Sequence, residues 1–86
     1  MPELPEVEST VRYLQERIEG ATIKSAEVYW RRSVATHTPA AFQSMVEGLR
    51  IGRVFRRGKF IGIECEGKRT TYLFIHLRMS GSLDVV

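Results

Sequence analysis

The sequence predicts an α+β fold: an antiparallel β-sandwich, incomplete within this chain, with an N-terminal helix and a second short helix. Two observations predict this class. Apolar residues recur at helical spacing in two segments of the first half, whereas from residue 50 onward short apolar runs alternate with glycine-containing turns. The 86 residues suffice for one domain at the small end of the usual range.

Residues 5–18 are predicted to form an amphipathic helix. The apolar side chains of its buried stripe are spaced four, three and four residues apart: Val7, Val11, Leu14 and Ile18. Gly20 is a suitable residue to end this helix. Packing of the stripe would fix the helix axis and hold Pro2 and Glu3, which precede the helix, at a defined place.

The middle of the chain predicts one strand and one helix. Residues 21–30 are interpreted as a strand with imperfect alternation, reconciled by a bulge near Ser25. Thr38 and Pro39 are typical of a helix cap and a first helical position. Gly48 limits this helix to about two and a half turns. Four apolar residues follow Pro39 at helical spacing and are predicted to face the core: Phe42, Met45, Val46 and Leu49.

The rest of the chain is predicted to be strands. The runs are residues 51–60 with a break at Gly58, 60–65, 72–77 and an unfinished run at 83–86. A turn at Glu66-Gly67-Lys68 makes residues 59–75 a hairpin. The unfinished run predicts a sheet that extends beyond this chain and has open edges.

Composition indicates a soluble, intracellular protein. The chain is 43% hydrophobic and 27% charged, as in globular domains. No apolar run approaches the roughly 20 residues of a membrane span, and no signal peptide is evident. The single cysteine, Cys65, excludes an internal disulfide framework and a cysteine-cluster metal site. It is predicted to be a buried, inert thiol.

The net charge of +3 is unevenly distributed. Residues 20–86 hold eleven bases against five acids, and seven of these bases lie within residues 50–69. A basic body favours a polyanion partner. A solvated positive surface without a partner is the alternative for so modest a charge.

The first six residues, MPELPE, carry the clearest chemical signal. After removal of Met1, Pro2 would present a secondary amine, which attacks an electrophilic carbon and forms a cationic iminium. Glu3 and Glu6 are near enough in sequence to transfer protons. Taken singly, these residues are also typical of an ordinary helix start, because proline and glutamate are favoured in the first turn.

Two later motifs join the N-terminus. Residues 56–59, RRGK, place three cations at a strand break, where glycine lets the backbone approach a ligand closely. Residues 76–81, HLRMSG, end a strand in a turn with Met79 near its tip, where a flexible apolar side chain suits insertion into a base stack. Singly, Lys59 is typical of a surface lysine and His76 of a strand histidine.

Together these motifs resemble the formamidopyrimidine-DNA glycosylase family, the bacterial 8-oxoguanine repair enzymes. The resemblance rests on residues 1–8 (MPELPEVE), 56–60 (RRGKF) and 75–81 (IHLRMSG), and runs in register over essentially the whole chain. Leu4 favours this branch, which acts on oxidised purines, over the related endonuclease VIII branch for oxidised pyrimidines, which typically has glycine there.

The resemblance implies four catalytic residues. Pro2 would attack C1′ of the damaged nucleotide and displace the base. Glu3 would handle proton transfer at the sugar, and Glu6 would support the site. Lys59 would bind a phosphate beside the lesion.

The resemblance also implies partners and surroundings. The partner would be double-stranded DNA with damaged bases or abasic sites, contacted by Lys59, by His76 on the backbone, and by Met79 in the gap left by the flipped base. Residues 1–86 would be a truncated N-terminal catalytic domain, a monomer in the family, with an edge-pairing dimer as a further possibility for the fragment. The helix-two-turn-helix and zinc-finger regions lie outside this chain, so zinc is expected there and no cofactor here. A bacterial cytoplasmic, nucleoid-associated location is expected.

Two further functions stay open. A tautomerase also uses an N-terminal proline, but in that class a strand directly follows Pro2. A non-enzymatic basic β module would bind DNA in a salt-dependent manner without any need for Pro2.

Overall fold

The computed structural model describes residues 4–27 and 37–77, which form two helices followed by three strands. The elements are α1 (Leu4–Ile18), α2 (Pro39–Val46), β1 (Arg50–Arg57), β2 (Phe60–Glu66) and β3 (Thr71–His76). The strands form one antiparallel sheet in the order β1-β2-β3. The α+β class, both helices and the 59–75 hairpin are therefore confirmed. A second sheet layer stays a prediction, and the strand predicted at residues 83–86 lies outside the described residues.

Helix α1 packs on the sheet through the predicted apolar stripe. Val7, Val11 and Leu14 are buried, and Ile18 is half-buried against them. The helix crosses β1 and reaches β2. No helix among the described residues has the length and apolar character needed to span a membrane.

The two faces of the sheet differ in character. The inner face, which forms the core with α1, has these buried residues: Val54, Ile61, Ile63 and Cys65. Burial raises the pKa of the Cys65 thiol above its ordinary value, consistent with the predicted inert thiol. The opposite face, called the outer face below, is aromatic and more exposed; its large apolar residues are Phe55, Phe60, Tyr72 and Phe74.

The strand predicted at residues 21–30 is wrong over residues 21–27. The segment makes only an isolated bridge, Thr22 to Arg50, flanked by backbone hydrogen bonds from Ile23 N to Leu49 O and from Ile51 N to Ala21 O. Pairing stops because the next residues along the partner turn at Gly48, with φ of 85°, into the end of α2. Residues 28–30 lie outside the described residues.

Helix α2 begins as predicted. The Thr38 hydroxyl oxygen accepts a hydrogen bond from Ala41 N at 3.2 Å, and Pro39 occupies the first turn. Val46 is buried. Met45, however, is 44% exposed, so its predicted core position is wrong. Val46 is the one buried residue among the eight of α2, and the core cluster includes no residue of this helix.

Gly62 is matched to Phe55 across the β1–β2 pair. The two residues are register partners on the outer face, and a Cβ added at Gly62 would overlap the Phe55 ring. The ring also meets Tyr72 and Phe74 edge to face, with centroids 6.4 and 6.0 Å away. The absence of a side chain at Gly62 therefore lets Phe55 lie across β2 toward β3.

We expect Gly62→Ala to lower the free energy of unfolding by about 1–3 kcal/mol, because the new methyl group overpacks this contact. Urea denaturation measures it. The matched background is Phe55→Leu, in which the same glycine change should cost clearly less. An equal cost in both backgrounds would show that backbone conformation, not the ring, requires glycine.

Candidate functional site

Helix α1 runs antiparallel to β1, as three contacts show. Near the helix C-terminus, Gln15 Nε2 donates to Val54 O and Glu19 Oε2 accepts from Val54 N, both at 2.8 Å. Near its start, Glu8 Oε1 lies 3.3 Å from Arg56 Nε. The first turn of α1 therefore lies beside the C-terminal end of β1.

The turn between β1 and β2 lies at the same end of the sheet. It consists of Gly58 and Lys59, directly after Arg57. Because β2 and β3 are antiparallel, the last residue of β3, His76, is the register partner of Phe60, the first residue of β2. We call this region, formed by the start of α1, the Gly58-Lys59 turn and His76, the convergent end.

The convergent end brings together the three sequence motifs. Glu6 lies exposed in the first turn of α1, where its carbonyl accepts from the Thr10 hydroxyl at 3.0 Å. Lys59 is half-buried in the turn. Pro2, Glu3 and Met79 lie outside the described residues. In sequence, the first two precede Leu4 directly and Met79 follows Leu77 by two positions.

His76 is held by its neighbours on the outer face. Its ring packs edge to face on Phe60, with centroids 4.9 Å apart. The Nδ1 atom is buried and has no hydrogen-bond partner in the described part of the chain. A ligand at the convergent end is therefore left with Nε2 as the nitrogen to contact.

The outer face carries cations stacked on its rings, a feature that the sequence analysis missed. The Arg53 guanidinium lies 4.7 Å from the Phe55 ring centroid, and that of Arg57 lies 5.6 Å from the Phe74 centroid. Arg57, Phe60 and Phe74 line a shallow depression beside His76. The sequence signal available for this face was the alternation of Arg53, Phe55 and Arg57 at every second position of β1.

Glu8 is the other residue that sequence reasoning missed. It lies on α1 and pairs with Arg56, 48 positions later in the chain, so no local spacing indicates the contact. The same guanidinium donates from Nη1 to Gly58 O at 2.9 Å. Arg56 thereby contacts both the helix and the turn that precedes Lys59.

The convergent end is suited to binding an anion. It combines a lysine in a turn with an imidazole at a strand end. Within residues 4–27 and 37–77, no group of three or more His, Cys, Asp or Glu side chains is placed to hold a metal ion. The lysine and the imidazole of the convergent end can recognise negative charge.

The family comparison covers the whole chain. Residues 1–86 match the family model described as formamidopyrimidine-DNA glycosylase N-terminal domain. The formamidopyrimidine-DNA glycosylase of Protochlamydia amoebophila is 41% identical over 87 residues, covering 100% of this chain and 31% of the relative. That of Carboxydothermus hydrogenoformans is 42% identical over 83 residues, covering 96% and 31%. The chain thus spans 31% of the length of these relatives.

Solved structures of a relative have the same fold. The Lactococcus lactis Fpg in complex with abasic-site DNA is 37% identical, with a TM-score of 0.80 over 91% of this chain and 28% of that chain. The same enzyme bound to DNA containing N7-benzyl-Fapy-dG gives a TM-score of 0.81 at 37% identity over the same shares of the two chains.

Glu19 is expected to be needed for seating α1 on β1. Glu19→Ala removes the acceptor of the Val54 N–H on the open side of β1 and should lower the free energy of unfolding by about 1–3 kcal/mol. Glu16→Ala is the matched control on the same helix, with an exposed side chain paired to Arg17, and should change it by less than about 0.5 kcal/mol. Urea denaturation of both variants decides; equal effects would contradict this role.

Proposed function

Because the chain belongs to the formamidopyrimidine-DNA glycosylase family, we propose that its protein is a bifunctional DNA glycosylase and abasic-site lyase of base excision repair. The proposed substrates are oxidised purines, 8-oxoguanine and formamidopyrimidines, in double-stranded DNA. The observation that carries the proposal is the convergent end, where the helix that follows Pro2 and Glu3 begins at the same end of the sheet as Lys59 and His76.

The proposed chemistry begins at the amine of Pro2 after removal of Met1. The amine attacks C1′ of the damaged nucleotide, the glycosidic bond breaks, and the base leaves with its electron pair and takes up a proton. Ring opening then gives an iminium between the proline nitrogen and C1′. Glu3 is assigned the proton transfers at the sugar, and Glu6 the support of this N-terminal region.

Strand cleavage follows from the same intermediate. The cationic iminium withdraws electrons and acidifies the C2′ proton. Loss of that proton expels the 3′ phosphate as leaving group, and a second elimination releases the 5′ phosphate. Hydrolysis of the iminium then restores the free amine of Pro2.

Lys59 and His76 are assigned to the phosphate backbone beside the lesion. A lysine ammonium recognises phosphate as a point charge, and the ring of His76 is held in place by Phe60. Met79, two positions beyond Leu77, is assigned to the gap left when the damaged base leaves the stack. The zinc of the family would be held by other parts of the protein.

Two observations bear on the rival functions. Helix α1 begins at Leu4, which disfavours a tautomerase because a strand directly follows Pro2 in that class. A structure of the L. lactis relative contains oxidised-pyrimidine DNA. Oxidised pyrimidines are therefore the second candidate substrate class, and comparing excision of 8-oxoguanine and of an oxidised pyrimidine from otherwise identical duplexes separates the two.

We expect retention of Met1 to lower covalent trapping by at least about 100-fold, because the nucleophilic amine is then blocked. The Pro2→Glu variant should retain Met1, because removal of the initial methionine requires a small residue at position 2. Borohydride trapping on an abasic-site duplex, read by intact mass, reports both the adduct and the state of the N-terminus. Glu16→Gln is the control and should trap like the unchanged protein. Undiminished trapping by a Met1-retaining species would contradict the assignment of Pro2.

Lys59→Ala is expected to weaken binding to an abasic-site duplex and to reduce the slope of log K against log salt by about 0.9, the value for one lost phosphate contact. The matched control is Lys68→Ala. Lys68 follows the other end of β2, roughly 20 Å away along the seven-residue strand. Fluorescence anisotropy at several salt concentrations measures both slopes. Equal losses would indicate a diffuse charge effect without a site at Lys59.

A further inference from the structure

We propose that Glu8 and Arg56 form a positioning link that holds the start of α1 in register with the Lys59 turn. This inference rests on the proposed function, in which the nucleophile precedes α1 and Lys59 binds phosphate. It assigns a role to two residues that take no part in the bond-breaking steps.

The Arg56 guanidinium joins the two parts directly. Its Nε lies 3.3 Å from Glu8 Oε1 on the helix, and its Nη1 donates to Gly58 O at 2.9 Å in the turn. A guanidinium is planar and rigid, so its two contacts fix the helix relative to the turn. Gly58 has φ of 60°, and Lys59 follows it directly. The carbonyl that Arg56 holds therefore belongs to the peptide unit that leads into Lys59.

Because Glu8 lies near the start of α1, loss of its contact with Arg56 should displace this end of the helix. The other described side-chain hydrogen bonds to β1 join Gln15 and Glu19 to Val54. They lie near the C-terminal end of the helix. From Gln15 back to Leu4 the helix is about 16 Å long, so a tilt of about 4° moves its start by about 1 Å. A misplacement of this size can cost on the order of 100-fold in rate.

Because the ion pair is partly exposed, its loss should change the free energy of unfolding little. Its main effect should be on the rate of trapping. The side chains of Arg56 and Glu8 are 34% and 51% exposed. Ion pairs of this kind contribute little to folding. Loss of the pair should therefore leave the protein folded, with the melting temperature shifted by no more than about 2 °C.

The first test uses the intact protein that includes residues 1–86, with single-turnover borohydride trapping at saturating abasic-site duplex. We expect Glu8→Gln to slow trapping about 10-fold or more, with Kd for a duplex carrying a tetrahydrofuran abasic analogue unchanged within about 3-fold. The variant removes a negative charge, so weaker electrostatic attraction to DNA cannot cause the loss. Glu16→Gln, which removes the same charge elsewhere on α1, should trap at the unchanged rate.

Arg56 variants separate a link from a simple charge effect. Arg56→Gln and the double variant with Glu8→Gln should trap equally slowly, because either change breaks the same link. Arg56→Lys keeps the positive charge but has one nitrogen in place of the two guanidinium nitrogens that make the contacts. Its trapping rate should fall to a similar value. Trapping at the unchanged rate by Glu8→Gln or Arg56→Lys would overturn the proposal.

A second measurement keeps this inference separate from the proposed function. In amide nitrogen–proton spectra, Glu8→Gln should shift the signals of Gly58 and Lys59, whereas Glu16→Gln should not. If the unchanged protein forms no adduct, the proposed function fails, and these signals alone decide whether the link exists. Identical Gly58 and Lys59 signals in both variants would overturn it.

Discussion

The seating of α1 on β1 is the constraint on which the rest of the structure depends. The apolar stripe of Val7, Val11 and Leu14 supplies the contact with the core, but a stripe alone permits sliding and rotation. Gln15 donates a hydrogen bond to Val54 O and Glu19 accepts one from Val54 N, and these two bonds fix the position along the strand. Because of this packing, the start of α1 lies at the same end of the sheet as the turn that contains Lys59.

The predictable parts of the fold were those with local causes. The α1 stripe, the Thr38 cap and the hairpin all follow from spacing or from turn residues within a few positions of one another. The segment 21–27 was mispredicted because its secondary structure depends on a pairing partner far along the chain. Its composition suits a strand, but β1 begins at Arg50 and offers it only a short stretch to pair with.

The candidate site shows the same division. Lys59 and His76 were predicted because each lies in a compact motif, and the register of β2 and β3 brings these two residues to one end of the sheet. Glu8 was not found, since its partner Arg56 is distant in sequence and neither residue is unusual alone. The packing of Phe55 on the outer face was missed for another reason: the ring lies over Gly62, and this pairing is identified only once strand register is known.

The hydrogen bonds of Gln15 and Glu19 with the Val54 backbone also cover part of the outer edge of β1. An edge strand with free N–H and C=O groups is a template for intermolecular pairing, and proteins usually blunt such edges. On β1 this edge is covered by the chain itself: residues 20–23 make backbone hydrogen bonds with Leu49 and Ile51, and the side chains of Gln15 and Glu19 bond to Val54. Among the described residues, the backbone groups of β1 near Ile51 and Val54 are therefore already paired. This part of the edge is a poor template for self-association.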